Sequence, residues 1–257
     1  MTPVYLFAPY WMGEFNPPRA AITRHTWRLL PPIELNGSPT ERMGLLCAAL
    51  ADEVAAIRAD GNFPVVIVGD CTFSIGVLAA LQRESPDLTL VWYDAHGDFN
   101  THETSPSGFI GGMPLAMLCG RGEQTIVEAA RVQTHPEAKV ILTDARDLDP
   151  GEKELVSGSA IKHVPDVAEL SELQLPNRPI YIHFDCDVLH LSDLSAVGYP
   201  AEGGPALETI EASLLHLTKT GQVAALSVTM WDPKLDDADS SAEQVVMGLV
   251  ERFVAQL

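Results

Sequence analysis

Six short apolar runs, many of their residues β-branched, punctuate the chain: Val4 to Ala8, Val65 to Val68, Leu88 to Tyr93, Val140 to Thr143, Ile180 to Phe184 and Val223 to Val228. Most are nearly continuous in hydrophobicity. That pattern belongs to strands covered on both faces, as in a parallel sheet. The segments between them read as helices. Ser38-Pro39-Thr40-Glu41 has capping-box spacing with Pro at the first helical position. It predicts a helix running to about Ala59, ended by Gly61-Asn62. Another helix is expected to begin near Ser74. Leu207, Ile210, Leu214 and Leu217 form one stripe of a later helix, and Ser240 to Leu257 reads as the closing one. The alternation predicts an α/β fold with three layers, α-β-α, around a mostly parallel central sheet. No repeat or low-complexity tract divides the 257 residues, so one domain over 1–257 is expected.

Composition narrows the partners. The chain is 46% hydrophobic, enough to bury a substantial core. Thirty-five acidic against sixteen basic residues leave a net charge of −19. Nucleic acid and anionic membranes call for Lys and Arg, so neither is expected as a partner. A solvated surface accounts for most such charge, but the balance also suits a small cationic substrate or metal ions. No apolar run is long enough for a transmembrane helix. The opening MTPVYLFAPYWMGEF has no basic n-region and no small-residue cleavage site, and reads as a first strand. Cys47, Cys71, Cys119 and Cys186 are scattered, with no CxxC pair. Neither a zinc ribbon nor a disulfide framework is indicated, and a reduced cytoplasmic protein is expected.

Candidate chemistry gathers where strands end, the place where open parallel sheets bind ligands. In VWYDAHGDFN, an apolar strand runs into Asp94, His96 and Asp98. Spacing of two keeps them on one face while the chain stays extended. Carboxylate with imidazole suits manganese, iron or zinc, whereas calcium prefers oxygen alone. In YIHFDCDVLH, Asp185 and Asp187 again stand two apart after a strand. Like charges this close repel unless a cation neutralises them. In VVIVGDCTFSIG, Cys71 follows the Gly69-Asp70 turn. A thiolate there could ligate a borderline metal, although a lone cysteine is more often a small buried hydrophobe. His183, inside the strand leading to Asp185, reads as a packed core histidine. Cys186, between the two aspartates, is expected to face away from them. Trp92 and Tyr93 read as core aromatics, and Gly111-Gly112 as a place of backbone freedom without phosphate-loop spacing.

These segments carry a resemblance to the arginase/agmatinase (ureohydrolase) superfamily from about Val65 to Pro233. DAHGDFN resembles the family's DAHxDxN motif, HFDCDVLH its SFDxDxxDP motif, and VGDCTFS its GGDHS motif. SGFIGGMP resembles the SGNxHGxP loop and TMWDPKLD the ExNPxxD segment; DARDLDPGE and YPAEGG also look like family segments. The resemblance implies an arginase-like fold and a home for two Mn²⁺ ions around a bridging hydroxide, with Zn²⁺ or Fe²⁺ as alternatives given Cys71. Asp94 and Asp185 would bridge both ions. Asp98 and Cys71 would complete one, His96 and Asp187 the other, with Asp98 also taking up a proton. It implies hydrolysis of a C–N bond in a small guanidino compound, and a homo-oligomer, commonly a trimer or hexamer.

Three positions depart from the family pattern. Cys71 stands in place of a histidine ligand, and softer thiolate shifts metal preference. Gly111 stands in place of a proton-shuttling histidine, for which His102 or His190 could substitute. Met230 stands in place of a glutamate that grips guanidinium, for which Glu202 or Asp232 could substitute. An N-hydroxyguanidine, less basic and with an easier leaving group, would ease two of the three departures. Two other readings stay open: a catalytically silent relative that binds or regulates, and a hydrolase of a formimino compound or linear amide.

Overall fold

Eight strands form one parallel sheet in a computed structural model that describes residues 1–257. In chain order the strands are β1 (Pro3–Phe7), β2 (Tyr10–Trp11), β3 (Glu14–Phe15), β4 (Arg28–Leu29), β5 (Phe63–Ile67), β6 (Thr89–Asp94), β7 (Val140–Asp144), β8 (Lys162–Val164), β9 (Ile180–Asp185) and β10 (Val223–Thr229). The sheet order is β4-β1-β5-β10-β9-β6-β7-β8, and β2 with β3 makes a separate antiparallel hairpin. The apolar runs predicted from sequence are the six long strands, displaced by a residue or two. The edge strands β4 and β8 escaped prediction because two or three residues carry no readable period.

Helices cover both faces. Pro39–Ala59 and Ser74–Glu84 pack on one side, with Leu46, Leu50, Ile75 and Leu78 in a single buried cluster. Leu207–Thr218 and Ser241–Val254 pack on the other, through Ile210, Leu214, Val246 and Leu249. Strand alternation assigns side chains to the two cores. Along β9, Tyr181 joins the first cluster, while Ile180, Ile182 and Phe184 join the second. His183 therefore points to the same side as Tyr181 and Asp185.

The Pro39–Ala59 helix begins as its sequence predicts. The Ser38 hydroxyl accepts from the Glu41 N–H at 3.3 Å, and the Glu41 carboxylate accepts from the Ser38 N–H at 2.8 Å. The closing helix stops at Val254 rather than Leu257. Parallel pairing sets all the carboxyl ends of the sheet at one edge. Because β5, β10, β9 and β6 lie side by side, the three polar clusters of the sequence meet there.

Candidate metal centre

Backbone hydrogen bonds help to hold Asp94, Asp185 and Asp187 in place. Asp94 Oδ1 accepts from the His96 N–H at 2.7 Å, turning the chain out of β6, and Asp94 Oδ2 accepts from the Trp92 indole at 3.1 Å. Asp185 repeats the device beyond β9: its Oδ1 accepts from the Asp187 N–H at 2.8 Å. Asp185 Oδ2 accepts from the Cys71 thiol at 2.7 Å and faces the Thr229 hydroxyl at 3.3 Å. Asp187 Oδ1 accepts from the Ala95 N–H at 3.2 Å, which ties the two loops together. Asp70 fixes the Cys71 turn by accepting from the Thr72 N–H at 3.1 Å and the Met12 N–H at 2.9 Å. Asp98 sits at φ +48°, a left-handed conformation uncommon outside glycine.

The ligand-type atoms fall into two groups, each within 4.8 Å: Cys71, Asp94, His183 and Asp185, and Asp94, His96 and Asp187. Asp94 belongs to both. Asp94, Asp98, Asp185 and Asp187 are each at most 4% exposed. Burial, and after it the repulsion among neighbouring carboxylates, raises the Asp94, Asp98 and Asp185 carboxyls above their usual range. Burial first, and then Asp185, pushes the Cys71 thiol up as well. Burial alone would lower His96, but its hydrogen bonds to Asp187 and Asp94 lift it to about 12. Its Nδ1 lies 3.1 Å from Asp187 and 3.3 Å from Asp94. Carboxylates crowded and buried in this way call for positive charge beside them, and His96 supplies part of it. Asp98 Oδ2 and His183 Nε2 are buried with no hydrogen-bond partner. Divalent ions fit this donor set: they would replace the protons and give the orphaned atoms a partner.

The groups open into a cavity of about 330 Å³. Eight carboxylates line it, from Asp70 to Asp187, and no Lys or Arg does. Phe109 and Tyr199 stand together on its wall, ring centroids 5.0 Å apart.

A family model described as the Arginase family matches residues 13–255. The chain belongs to the arginase family. Among curated relatives, this arginase-family chain is 32% identical over 220 residues to an arginase of Bacillus subtilis, covering 80% of the chain and 74% of the relative. It is 34% identical over 212 residues to an arginase of Bacillus caldovelox, covering 77% and 70%. Among solved structures, an arginase from Bacillus cereus superposes with a TM-score of 0.84 at 26% identity, covering 98% of both chains. The chain is thus an arginase-family hydrolase.

The structure brings together Cys71, Asp94, His96, Asp98, Asp185 and Asp187, and Met230 lines the same cavity. It does not bring in the proposed substitutes. His102 is exposed on the turn after Thr101. His190 is exposed, its Nδ1 2.7 Å from the Ser192 hydroxyl. Glu202 is exposed, and its carbonyl accepts from Arg146. Asp232 accepts from the Lys234 N–H in a local turn. None of the four lines the cavity. Cys186 packs in the core on the opposite side of the sheet from Cys71.

Two features lay beyond the sequence reading. Glu152 is 2% exposed, lines the cavity, and accepts from the Phe99 N–H at 2.8 Å. Burial raises it to about 7. Gly97 makes room for it: a Cβ there would come 2.6 Å from Glu152 Oε1. The second is His183. It packs in the core as expected, stacked on Trp92 with centroids 3.6 Å apart, yet a ring nitrogen also enters the Cys71 group. Its histidine identity, one strand period before Asp185, was the available signal.

Proposed function

We propose that this chain is a metal-dependent hydrolase that cleaves a C–N bond of a small guanidino or modified guanidino compound. The observation that carries the reading is the cluster of buried carboxylates, Asp94, Asp98, Asp185 and Asp187, lining one acidic cavity. Asp94 and Asp185 would be shared between two divalent ions. Cys71 and Asp98 would complete one site, and His96 and Asp187 the other. Manganese is the family expectation, and the thiolate of Cys71 adds zinc and iron. Two such ions, when bound, acidify water near neutral pH and polarise an electron-poor carbon.

The chain's own groups supply the rest. The cavity's eight carboxylates attract a cationic substrate and disfavour anions. Asp98 Oδ2, unpartnered and facing the cavity, receives the proton of the attacking water. Water adds to the central carbon, Asp98 passes the proton it received to the departing nitrogen as the C–N bond breaks, and an amine and urea result. Met230, 5% exposed and lining the cavity, presents a thioether where a strongly basic guanidinium would want a carboxylate. That favours a less basic substrate such as an N-hydroxyguanidine, whose product with water is hydroxyurea. Assembly as a homo-oligomer follows the family resemblance.

Protein loaded separately with manganese, zinc and iron should be offered guanidines and N-hydroxyguanidines, with urea and hydroxyurea measured as products. Hydroxyurea formation exceeding urea formation supports the finer reading. No product from either class, with metal bound, leaves the silent binding protein that Gly111 and Met230 would suit.

A further inference from the structure

His183 is a buried core histidine that borders the candidate metal cluster with one ring nitrogen left unpaired. On β9 it lies one strand period before Asp185 and points to the same face. Its ring is fully buried and stacks on Trp92 at 3.6 Å between centroids, 23° from parallel. Nδ1 lies 3.1 Å from the Ser227 hydroxyl, which in turn lies 2.7 Å from the Tyr181 hydroxyl. Nε2 is buried and has no partner at all. A buried imidazole nitrogen left unpaired is destabilising, so an orphan of this kind calls for an explanation.

The neighbours supply one. A ring nitrogen of His183 lies within 4.8 Å of the Cys71 sulfur and of carboxylate oxygens of Asp94 and Asp185. We propose that His183 Nε2 is a ligand of the metal ion shared by Cys71, Asp94 and Asp185. This deepens the two-metal reading and rests on it. The exchange is visible in the sequence. The GGDHS motif carries its histidine where Cys71 stands, and the SFDxDxxDP motif begins with serine where His183 stands. His183, inside β9, would bring an imidazole to the group in which Cys71 stands in place of the motif's histidine.

The surrounding groups are set for ligation. A hydrogen bond donated by Nδ1–H to the Ser227 hydroxyl would fix the tautomer that leaves the Nε2 lone pair free, the usual support for a ligating histidine. The stack on Trp92 fixes the ring plane. Trp92 also donates to Asp94 at 3.1 Å, so one indole orients two members of the site. The two sites then differ in chemistry. One offers thiolate, imidazole and carboxylate, a set that selects zinc or iron over manganese. The other offers His96 with Asp94 and Asp187, harder donors that suit manganese.

The test uses the purified full-length chain, stripped of metal and refilled with Co²⁺, whose visible bands report its ligands. His183→Phe keeps the stack and volume and removes the nitrogens. Wild type should take up two equivalents with a thiolate-to-cobalt charge-transfer band. His183→Phe should keep one equivalent and lose affinity for the other by roughly 10–100-fold or more. In case the variant folds poorly, X-ray absorption on wild type with one equivalent of Zn²⁺ needs no substitution. Sulfur scattering at about 2.3 Å together with imidazole scattering supports the assignment, because His96 lies outside the Cys71 group. Sulfur with oxygen alone, or two equivalents bound equally well by wild type and His183→Phe, overturns His183 and leaves the two-metal reading standing. A wild-type chain that takes up no metal overturns both.

Discussion

Asp94, Asp98, Asp185 and Asp187 were legible because they cluster directly after apolar runs, although the strands end at Asp94 and Asp185 and turns rather than extended chain bring Asp98 and Asp187 to the site. Glu152 was not, because it arrives from the helix Pro150–Ser157, 53 positions beyond the Phe99 N–H that it meets. Such a meeting is a product of packing and leaves no local pattern. Its consequence can be measured. Glu152 is raised by burial to about 7 in the folded chain, against 4.5 for an unperturbed glutamate. Between those values the folded state binds the extra proton, so stability falls as pH rises through that window. The contribution is up to about 3 kcal/mol. In the metal-free protein, urea midpoints from pH 4.5 to 7.5 should decline, and Glu152→Gln should flatten part of that decline. The buried aspartates add slope of the same sign, so an unchanged slope in the variant would assign the whole effect to them. Gly97→Ala probes the same contact from the other side. Its Cβ would lie 2.6 Å from Glu152 Oε1 and 2.7 Å from Leu148 Cδ2, and should destabilise by about 1–3 kcal/mol in thermal melts.

The long strands and helices could be read from the chain because their periods extend over five residues or more. Ends were less legible, since caps and strand termini depend on partners. The N-terminus of Pro39–Ala59 is the exception, because its signal is local: both capping-box hydrogen bonds form within four residues. Ser38→Ala should therefore cost about 1 kcal/mol of stability with no change in metal content. The helix Ser74–Glu84 depends instead on close approach. A Cβ on Gly76 would meet the Cys47 carbonyl oxygen at 2.5 Å, an atom of a helix backbone that cannot yield cheaply. Gly76→Ala should thus destabilise more than Ser38→Ala and should also weaken metal uptake, because this helix continues directly from the Cys71–Phe73 turn.

Across the molecule, one residue joins strand ends that are distant in sequence. Arg146 pairs with Asp144 and donates to the carbonyls of Asp187, Val188, Ala201 and Glu202. Asp144 and Ala145 beside it both sit at positive φ, +66° and +50°. The sequence showed DARDLDPGE as a family segment but not this role, which exists only once β7 and β9 share a sheet edge. Arg146→Ala would leave Asp144 buried and unpaired, at a cost of about 3 kcal/mol or more, and should loosen the loop that carries Asp187. Hydrogen exchange at Val188 and Leu189 would report that loosening. Charge follows the same logic. A chain of net charge −19 has drawn eight carboxylates around one cavity and no Lys or Arg, an arrangement suited to holding cations. No helix is long and apolar enough to cross a membrane. The central claim is therefore the metal, and elemental analysis tests it most directly. Protein expressed with manganese, iron and zinc all supplied should be analysed beside an Asp94→Ala, Asp185→Ala double variant. About two metal equivalents per chain in wild type, lost in the variant, are the predicted result. A wild-type chain that stays metal-free under saturating supply would contradict the account.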